Sequence, residues 1–413
     1  MKSKLTNFIA LDLGSSKIAT IAAYIDKREA VKVVSQNLYH SKGIRSGVIL
    51  DIKGAENSII GAIYELEKDC GKNIKEITVS LTGYGTKSYY ISSKIKISPN
   101  QPILEQDVKK LIKQALSELK LKDQEVIDYF PLGFELDDTT IDEPIGMYGK
   151  ELGCELHIIT ASANMLINLT NCFAKCHVEI NNIVLAIYAS GLACLTKDEK
   201  ELGSVIIDMG ARTTSLGIFI AGKLIYTGYI NVGSFHITSD IAKVFSLTLS
   251  AAEKLKVLYG NAVPSAFDKD NIIRLEDNNI DLTDNEGITI TSKHLAEVIN
   301  PRVEEILGMV QTEYNKIIAN NMLAYRIVIT GGGAMLRGVK ELASKIFERQ
   351  VRIGKPEILE GFAEDYNPYI YSTAIGMVKN QFFKTLKSSL KIGEDNENLS
   401  WYKKLLIWLK DNV

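Results

Sequence analysis

Apolar and polar residues alternate along this chain in short runs, and two of the resulting hairpins share one design. The first begins at Ile9 with Ile-Ala-Leu-Asp-Leu-Gly-Ser-Ser-Lys-Ile-Ala-Thr-Ile, and the second spans 205–217 as Val-Ile-Ile-Asp-Met-Gly-Ala-Arg-Thr-Thr-Ser-Leu-Gly. Each consists of an apolar strand, an aspartate, a glycine turn with hydroxyl residues and a second apolar strand. A design that occurs twice predicts a molecule built from two related halves.

Outside the hairpins, apolar positions recur with the period of strands or of helices. Further strands are predicted at 31–36, 76–82, 86–97, 125–130, 155–159, 183–188, 223–232 and 326–330, with strand and loop at 264–286. Helices are predicted at 54–70, 105–119, 160–174, 190–195, 234–245, 249–259, 292–319 and 335–347. Pro301 lies inside the longest helix and either kinks it or marks a break. Strand groups that alternate with helices favour an α/β fold.

The same pattern divides the chain into two halves with an insertion and a tail. The predicted boundaries are first-half core 1–83, inserted αβ subdomain 84–158, continued first-half core 159–203, second-half core 204–230, upper subdomain 231–325, core with return to the first half 326–385, flexible linker 386–399 and amphipathic helix 400–413.

Composition and charge exclude several classes of protein. With 413 residues, 46% hydrophobic and 24% charged, the chain has the composition of a soluble globular protein of two or more domains. The net charge of -2 argues against a global attraction to nucleic acid, and we expect no nucleic-acid partner. Cysteines form no cluster with histidine, which favours structural thiols in a reducing cytoplasm. The N-terminus lacks the pattern of a signal peptide, and no apolar run approaches the ~20 residues of a spanning helix.

The two glycine turns are candidate polyphosphate sites, because backbone N–H groups in such turns form an anion-binding concavity. Asp12 and Asp208 each precede a turn glycine and can hold Mg²⁺ directly or through its water shell. The alternative for each hairpin alone is an ordinary Asp-x-Gly turn. The candidate phosphate-binding residues are Gly14, Ser15, Ser16 and Lys17 in the first turn, and Gly210, Ala211, Arg212, Thr213 and Thr214 in the second.

Two further motifs are candidates for binding a nucleoside. The strand at 326–330 runs into Gly331, Gly332, Gly333 and Ala334, whose small side chains let a base or ribose lie against the backbone. Glu253 and Lys256 share one face of a predicted helix and can bond ribose hydroxyls and the adenine edge. A solvated helix face is the alternative for this second pair.

The chain ends in an amphipathic segment that follows a polar stretch. Trp401, Leu405, Trp408 and Leu409 lie on one side of the predicted helix, while Lys403, Lys404 and Lys410 lie at its flanks or opposite. Tryptophan suits the headgroup boundary, and lysines attract anionic lipid. The alternative is a terminal helix docked on the protein's own core. The polar linker before the helix, and the presence of both tryptophans of the chain in this segment, disfavour that alternative.

These motifs, in this order, resemble those of the actin-like ATPase superfamily and, within it, of the FtsA family of bacterial cell-division proteins. The resemblance covers almost the whole chain. Its most specific segments are 203–214, 238–242 and 252–262, and the insert at 84–158 is similar to that family's distinctive subdomain.

The resemblance implies a molecule that binds ATP with Mg²⁺. The departure of Arg212 from the family's phosphate loop, and the lack of an evident water-orienting residue around 188–192, imply at most slow ATPase activity. The resemblance also implies binding of the FtsZ C-terminal tail through the upper subdomain at 231–325, with 234–243 and 292–305 as candidate segments. Such a protein tethers FtsZ filaments to the inner membrane at the division septum, self-associates into actin-like filaments and helps to recruit later divisome proteins. Its location would be cytoplasmic, on the inner face of that membrane.

One position departs from the family pattern. Arg212 stands where the second phosphate loop usually has a glycine. If that position needs a left-handed backbone, arginine costs on the order of 1 kcal/mol. Its guanidinium could instead pair with the terminal phosphate, as arginine readily does.

Two other functions share this fold, namely assembly of pili by an actin-like ATPase and phosphoryl transfer by a metabolic kinase. A kinase needs a catalytic carboxylate that faces an acceptor hydroxyl, and no catalytic residue is identified here. The length of the resemblance and the amphipathic tail favour the cell-division function.

Overall fold

The protein is described by a computed structural model that covers residues 7–26, 28, 30–264, 272–273, 290–318 and 326–392. The amphipathic segment at 400–413, most of the polar stretch at 264–286 and the end of the predicted linker lie outside the described residues.

The first half is built on a five-stranded sheet with the order β11-β6-β1-β2-β3. Its elements are β1 (Asn7–Leu13), β2 (Lys17–Ile25), β3 (Val31–His40), β4 (Ile44–Arg45), β5 (Val48–Ile49), α1 (Ile52–Cys70) and β6 (Glu76–Leu81), and after the insertion α3 (Ala163–Lys175), β11 (Glu179–Leu185), α4 (Ala186–Cys194) and α5 (Lys197–Leu202). Strands β4 and β5 form a separate two-stranded hairpin.

The inserted subdomain has a four-stranded sheet with the order β7-β10-β8-β9. Its elements are β7 (Thr86–Lys96), α2 (Glu105–Glu118), β8 (Gln124–Leu136), β9 (Thr139–Ile141) and β10 (Glu151–Ser162). A separate core of aliphatic side chains, which includes Leu111, Leu152 and Leu156, lies between α2 and this sheet.

The second half repeats the topology of the first. Its elements are β12 (Ser204–Met209), β13 (Thr214–Ile220), β14 (Lys223–Ile230), α6 (Ser234–Val244), α7 (Leu249–Tyr259), β15 (Ile272–Ile273), β16 (Ile290–Thr291), α8 (Ser292–Ile318), β17 (Arg326–Thr330), α9 (Val339–Phe347), β18 (Val351–Ile353) and α10 (Ser372–Ile392). Its sheet has the order β18-β17-β12-β13-β14, in which an antiparallel meander is extended by two parallel strands, as in the first half. The prediction of an α/β fold with two related halves is therefore confirmed.

Helices α4 and α10 lie between the two sheets and join the halves. One core contains Ala10 and Ile21 of the first sheet, Ile206 and Val328 of the second, and buried residues of both helices. At Gly376 the two helices approach so closely that a Cβ atom would stand 1.7 Å from the Ala189 carbonyl oxygen. The halves are thus joined by one continuous apolar layer.

Several predicted element boundaries are wrong. Residues 183–188 are not one strand, because β11 ends at Leu185 and α4 begins at the next residue. A short apolar run has no period that separates a buried strand from a buried helix. The helix predicted at 160–174 begins only at Ala163, since Thr160 still belongs to β10.

The other differences concern the end of the chain. The helix predicted at 335–347 begins at Val339, after Gly338 adopts the left-handed φ of 79°. Residue Pro301 does not break α8, which is one helix of 27 residues. The predicted linker begins too early, because α10 runs to Ile392, and the leucines and lysines of this stretch are good helix formers.

The inserted subdomain covers the outer edge of the second-half sheet. On edge strand β14, the Leu224 carbonyl accepts a hydrogen bond from Nδ1 of His157 at 2.9 Å, and the Ile225 carbonyl accepts one from the Tyr90 hydroxyl at 2.8 Å. His157 Nε2 lies 3.0 Å from the Ser88 hydroxyl, and its ring stacks on Tyr90 at 4.9 Å. Side chains from β7 and β10 therefore satisfy carbonyl groups that an edge strand would otherwise expose.

We expect His157→Asn to weaken the dependence of stability on pH. Burial lowers the pKa of His157, so the folded protein holds a neutral imidazole while the unfolded chain binds a proton. The stability that this group contributes is present above the unfolded pKa of about 6.5 and is lost as the pH falls below it. Urea denaturation at pH 7.5 and pH 5.5 measures the difference. The same loss of stability on acidification in both proteins would contradict a neutral, buried His157.

Candidate functional site

The two aspartates lie near the ends of equivalent strands in the two halves. Asp12 is the last but one residue of β1, and Asp208 holds the same position in β12. Strand β17 runs parallel to β12 with Thr330 beside Asp208, so the glycine motif that follows Thr330 begins at the same edge. The fold thus brings the two hairpin turns and the third motif to one cleft between the halves.

Asp12 is held by a serine from the neighbouring parallel strand. The Ser80 hydroxyl donates to Asp12 Oδ1 at 2.6 Å and accepts a hydrogen bond from the Leu13 amide at 2.9 Å. Burial raises the pKa of Asp12 to about 7, the Ser80 hydrogen bond opposes this rise, and the negative charge of Asp208 adds to it. The ionised carboxylate therefore lacks a compensating positive charge in this cleft.

Asp208 is held from the two helices that lie between the sheets. The Ser190 hydroxyl of α4 donates to Asp208 Oδ2 at 2.7 Å and lies 3.0 Å from the Thr373 hydroxyl of α10. Burial raises the pKa of this carboxyl as well, although the hydrogen bonds from Ser190 and Thr373 oppose the rise. Each half thus contributes one carboxyl group whose charged form the protein alone does not neutralise.

This donor set fits a hard divalent cation that keeps most of its water. The two carboxylates interact electrostatically across the cleft, and each retains part of its surface open to solvent. Mg²⁺ binds through one or two carboxylates together with water and phosphate oxygens. Among the described residues no group of three or more His, Cys, Asp or Glu forms a metal site, so a cage made wholly of protein ligands is not present there.

The turn glycines permit tight backbone approaches but use their own amides internally. The Gly14 amide donates to the Asp12 carbonyl at 3.1 Å, and the Gly210 amide donates to the Thr213 carbonyl at 2.9 Å. A Cβ atom at Gly14 would stand 2.4 Å from the Lys17 carbonyl oxygen. The amides of Gly14 and Gly210 are therefore engaged within their own turns, and phosphate binding by the two turns stays a prediction.

In the first turn, the serines contact the rest of the cleft while the lysine faces solvent. The Ser15 hydroxyl accepts from the Ser46 amide at 2.8 Å, and the Ser16 carbonyl accepts from the Ser41 amide at 3.0 Å. Lys17 is exposed, and its charge contributes to the lowered pKa of Lys256 in the other half. The positive charge of Lys17 therefore interacts with Lys256 in the other half.

In the second turn, the threonines and Ala211 have structural contacts. The Thr214 hydroxyl donates to the Val232 carbonyl at 2.9 Å, which ties the turn to the chain before α6. The Ala211 carbonyl accepts from the Phe235 amide at 2.7 Å. Thr213 is buried and accepts the glycine amide bond through its carbonyl.

Arg212 shows none of the backbone strain that one of the two alternatives supposed. Its φ is not in the left-handed region, unlike those of residues such as Ser46 and Glu348. The guanidinium lies over the Phe235 ring with Cζ 4.0 Å from the ring centroid. Burial lowers the pKa of Arg212, and the positive charge of Arg45 lowers it further. A glycine is thus not required at this position.

The pair Glu253 and Lys256 is not a solvated helix face. Lys256 is buried, and its ammonium donates to the Ser234 carbonyl at 3.2 Å, to the Thr238 hydroxyl at 2.9 Å and to Glu253 Oε2 at 2.7 Å. Burial lowers the pKa of this lysine, and the neighbouring Glu253 opposes the decrease. The three donors of Lys256 are in use, whereas the Glu253 side chain is 50% exposed.

The glycine motif is pressed against the second hairpin on one side and open on the other. Gly331 has a φ of 85°, and a Cβ there would lie 2.3 Å from Asp208 Oδ1. A Cβ at Gly333 would meet Met209 at 2.9 Å, whereas a Cβ at Gly332 would meet nothing within 4 Å. Ala334 is buried in the 3₁₀ turn that follows. The motif therefore presents a bare backbone surface at Gly332.

Comparison with known proteins identifies the family. The sequence model described as "Cell division protein FtsA" matches residues 205–376, and the one described as "SHS2 domain inserted in FTSA" matches 83–160. The cell division protein FtsA of Borreliella burgdorferi is 32% identical over 396 residues, which cover 94% of this chain and 95% of the relative. This chain belongs to the FtsA family of cell-division proteins.

Solved structures agree with the FtsA assignment at the level of fold. A chain of the PilM-PilN type IV pilus biogenesis complex aligns with a TM-score of 0.64 at 13% identity, covering 91% of this chain and 99% of that one. MreB5 of Spiroplasma citri, in a structure bound to ADP, aligns with a TM-score of 0.54 at 16% identity over 93% and 98% of the chains. At these identities the likeness establishes the actin-like fold alone.

Three residues that hold the aspartates of this FtsA-family cleft were not predicted from the sequence, and two of them carry no local sequence signal. Ser80, Ser190 and Thr373 hold the two aspartates from three different elements. Only Ser190 could have been noticed, as a polar residue in the otherwise apolar helix α4. The candidate membrane residues at 401–410 lie outside the described residues, and no helix of the described part has the length and apolar content to cross a bilayer.

We expect Asp12→Asn to stabilise the nucleotide-free protein at pH 8 and to have little effect near pH 4. The folded pKa of about 7 lies above the unperturbed 3.8, so stability from this group is full at low pH and is lost as the pH rises to about 7. The gain is a few kcal/mol at most, since each pKa unit corresponds to about 1.4 kcal/mol.

Urea denaturation at both pH values measures this effect. Asp26→Asn is the matched control, and we expect it to destabilise the protein at pH 8. Hydrogen bonds from the Ala30 and Arg28 amides lower the pKa of Asp26, so its ionised form is the one that the fold stabilises. A destabilised Asp12→Asn protein at pH 8 would show that the carboxylate is already compensated in the absence of ligand.

Proposed function

We propose that this FtsA-family protein binds Mg²⁺ and ATP in the cleft between its halves. The observation that carries the proposal is the pair Asp12 and Asp208, one from each half, whose pKa values are raised and whose geometry is fixed by hydrogen bonds. When bound, the metal would supply positive charge to these carboxylates and to the phosphates. Asp12 and Asp208 would hold it through its water shell.

Other residues of the chain take separate roles toward the nucleotide. Ser15, Ser16 and Lys17 of the first turn, and Thr213 of the second, would contact the phosphates from the two halves. The half-exposed side chain of Glu253 would accept hydrogen bonds from ribose hydroxyls. The hydrogen bond from Lys256 would fix the orientation of Glu253. The bare backbone at Gly332 leaves room for the flat base. The ADP in the MreB5 structure, a protein of the same fold, supports this kind of ligand.

We further propose the specific cell-division role of tethering FtsZ filaments to the inner membrane at the septum. Family membership supports this role, together with self-association and recruitment of later divisome proteins. The candidate FtsZ-tail segments, 234–243 and 292–305, pack on each other, and Arg302 of α8 forms an ion pair with Asp240 of α6 at 2.6 Å. The two segments are therefore in contact within the upper subdomain. The membrane contact is assigned to 400–413.

Neither alternative function has an observation that favours it over this one. The likeness to the pilus biogenesis complex is a likeness of fold at 13% identity. For a metabolic kinase, a carboxylate facing an acceptor hydroxyl would be needed, and the two carboxyl groups of the cleft are both committed to the proposed metal position. The proposal includes at most slow hydrolysis of ATP.

We expect Gly332→Val to weaken nucleotide binding at least tenfold without unfolding the protein. A Cβ atom at this position would meet no atom within 4 Å beyond its chain neighbours, so the added side chain extends into the space assigned to the nucleoside. Titration calorimetry with ATP and Mg²⁺ should show binding for the unmodified protein and an affinity at least tenfold lower for the variant.

Gly133→Val is the matched control, because Gly133 also has open space around it but lies in β8 of the inserted subdomain. Equal affinities in all three proteins would place the base elsewhere. Absence of binding by the unmodified protein with Mg²⁺ present would refute the nucleotide function itself.

We expect removal of 400–413 to abolish binding to anionic liposomes and the recruitment of purified FtsZ to them. Binding of FtsZ in solution should persist, because the proposed tail surface lies on the upper subdomain. Flotation of liposomes measures the first effect, and co-sedimentation of FtsZ polymers measures the second. A full-length variant with Trp401→Ala and Trp408→Ala tests whether the apolar side is responsible. Undiminished flotation of the truncated protein would overturn the membrane assignment.

A further inference from the structure

Arg212 is held in a fixed position beside the second turn. The Ser234 amide donates to the Gly210 carbonyl at 3.0 Å and the Phe235 amide donates to the Ala211 carbonyl at 2.7 Å, which fastens the start of α6 to the turn. Phe235 then supports the guanidinium through its ring face. A stacked guanidinium keeps the N–H groups at its edge available for an anion.

A second arginine approaches from the first half. Arg45 ends strand β4 in the small hairpin, and the next residue, Ser46, is buried with a φ of 53°. Ser46 links three parts of the cleft, since its amide donates to the Ser15 hydroxyl at 2.8 Å and its own hydroxyl donates to Asn231 Oδ1 at 2.7 Å. Arg45 is therefore carried by a segment that contacts both the first phosphate turn and the second half.

The two arginines form an uncompensated pair of like charges. Arg45 is the charged group that acts on Arg212, and within the described part of the chain neither guanidinium forms an ion pair with a carboxylate. Two positive charges within electrostatic range of each other repel, and an anion bound by both offsets that repulsion. Guanidinium groups bind phosphate oxygens in a bidentate manner, so phosphate chemistry suits this position.

We propose that Arg45 and Arg212 together bind the terminal phosphate of a nucleoside triphosphate and so distinguish ATP from ADP. This inference rests on the nucleotide function proposed above. Arg212 lies in the second turn, Arg45 directly precedes the residue that bonds Ser15 of the first turn, and each half contributes one arginine. A terminal phosphate joins the halves at this point, whereas a diphosphate leaves the two guanidinium groups without their shared anion.

The test compares affinities for ADP and for the non-hydrolysable imido analogue of ATP, each with Mg²⁺, by titration calorimetry. Arg45→Ala and Arg212→Ala should each weaken the analogue roughly tenfold, the scale of one lost charge-assisted contact, and change ADP affinity less than about twofold. Phe235→Ala should reduce the preference for the analogue partly, because the guanidinium loses its support.

Arg28→Ala is the control, since Arg28 is an exposed arginine that pairs with Asp26 at the far end of β2. Equal weakening of ADP and the analogue by the Arg45 and Arg212 variants would mean that the pair supports the cleft without sensing the terminal phosphate. An unchanged affinity for the analogue would also overturn the proposal, while the nucleotide function would stand. If the unmodified protein bound neither nucleotide, the nucleotide function itself would fail.

Discussion

The contact between α4 and α10 sets the distance between the two halves. Gly376 lets α10 approach the Ala189 carbonyl so closely that no side chain fits between the helices. The residue next to Ala189 is Ser190, which holds Asp208, and Thr373, one turn before Gly376, bonds Ser190. The same contact that packs the halves together therefore also positions the second carboxylate. A small change in the separation of these helices would move Asp208 directly.

The cleft concentrates negative charge in a place where the fold does not neutralise it. The fold places Asp12 and Asp208 near each other because they occupy the same position in equivalent strands of the two halves. Burial raises the pKa values of both carboxyl groups, so their ionisation lowers the stability of the folded protein. In the proposed function, a cation that carries phosphate would relieve this unfavourable free energy in both halves at once.

The sequence predicts what is local and misses what is brought together over long distances. The hairpins around Asp12 and Asp208, and helices α6 and α7, were predicted nearly to the residue, because turn glycines and helical periods are local signals. Ser80 was not predicted as a site residue, since only the parallel pairing of β6 with β1 brings it to Asp12. The strand end at Leu185 was not predicted, because α4 is apolar on all sides and has no amphipathic period. The position of Arg212 on Phe235 depends on how α6 meets the turn.

The inserted subdomain is connected to the cleft from two directions. Strand β6 carries Ser80 under Asp12 and continues, after a short turn, into β7, so the first connection runs along the chain. The second runs through space, because His157 and Tyr90 bond the carbonyl groups of β14, the strand that leads to Asn231 and α6. The insertion belongs to the first half by sequence but is fastened to the second by hydrogen bonds. Any rotation of one half against the other must therefore either break these bonds or turn the inserted subdomain.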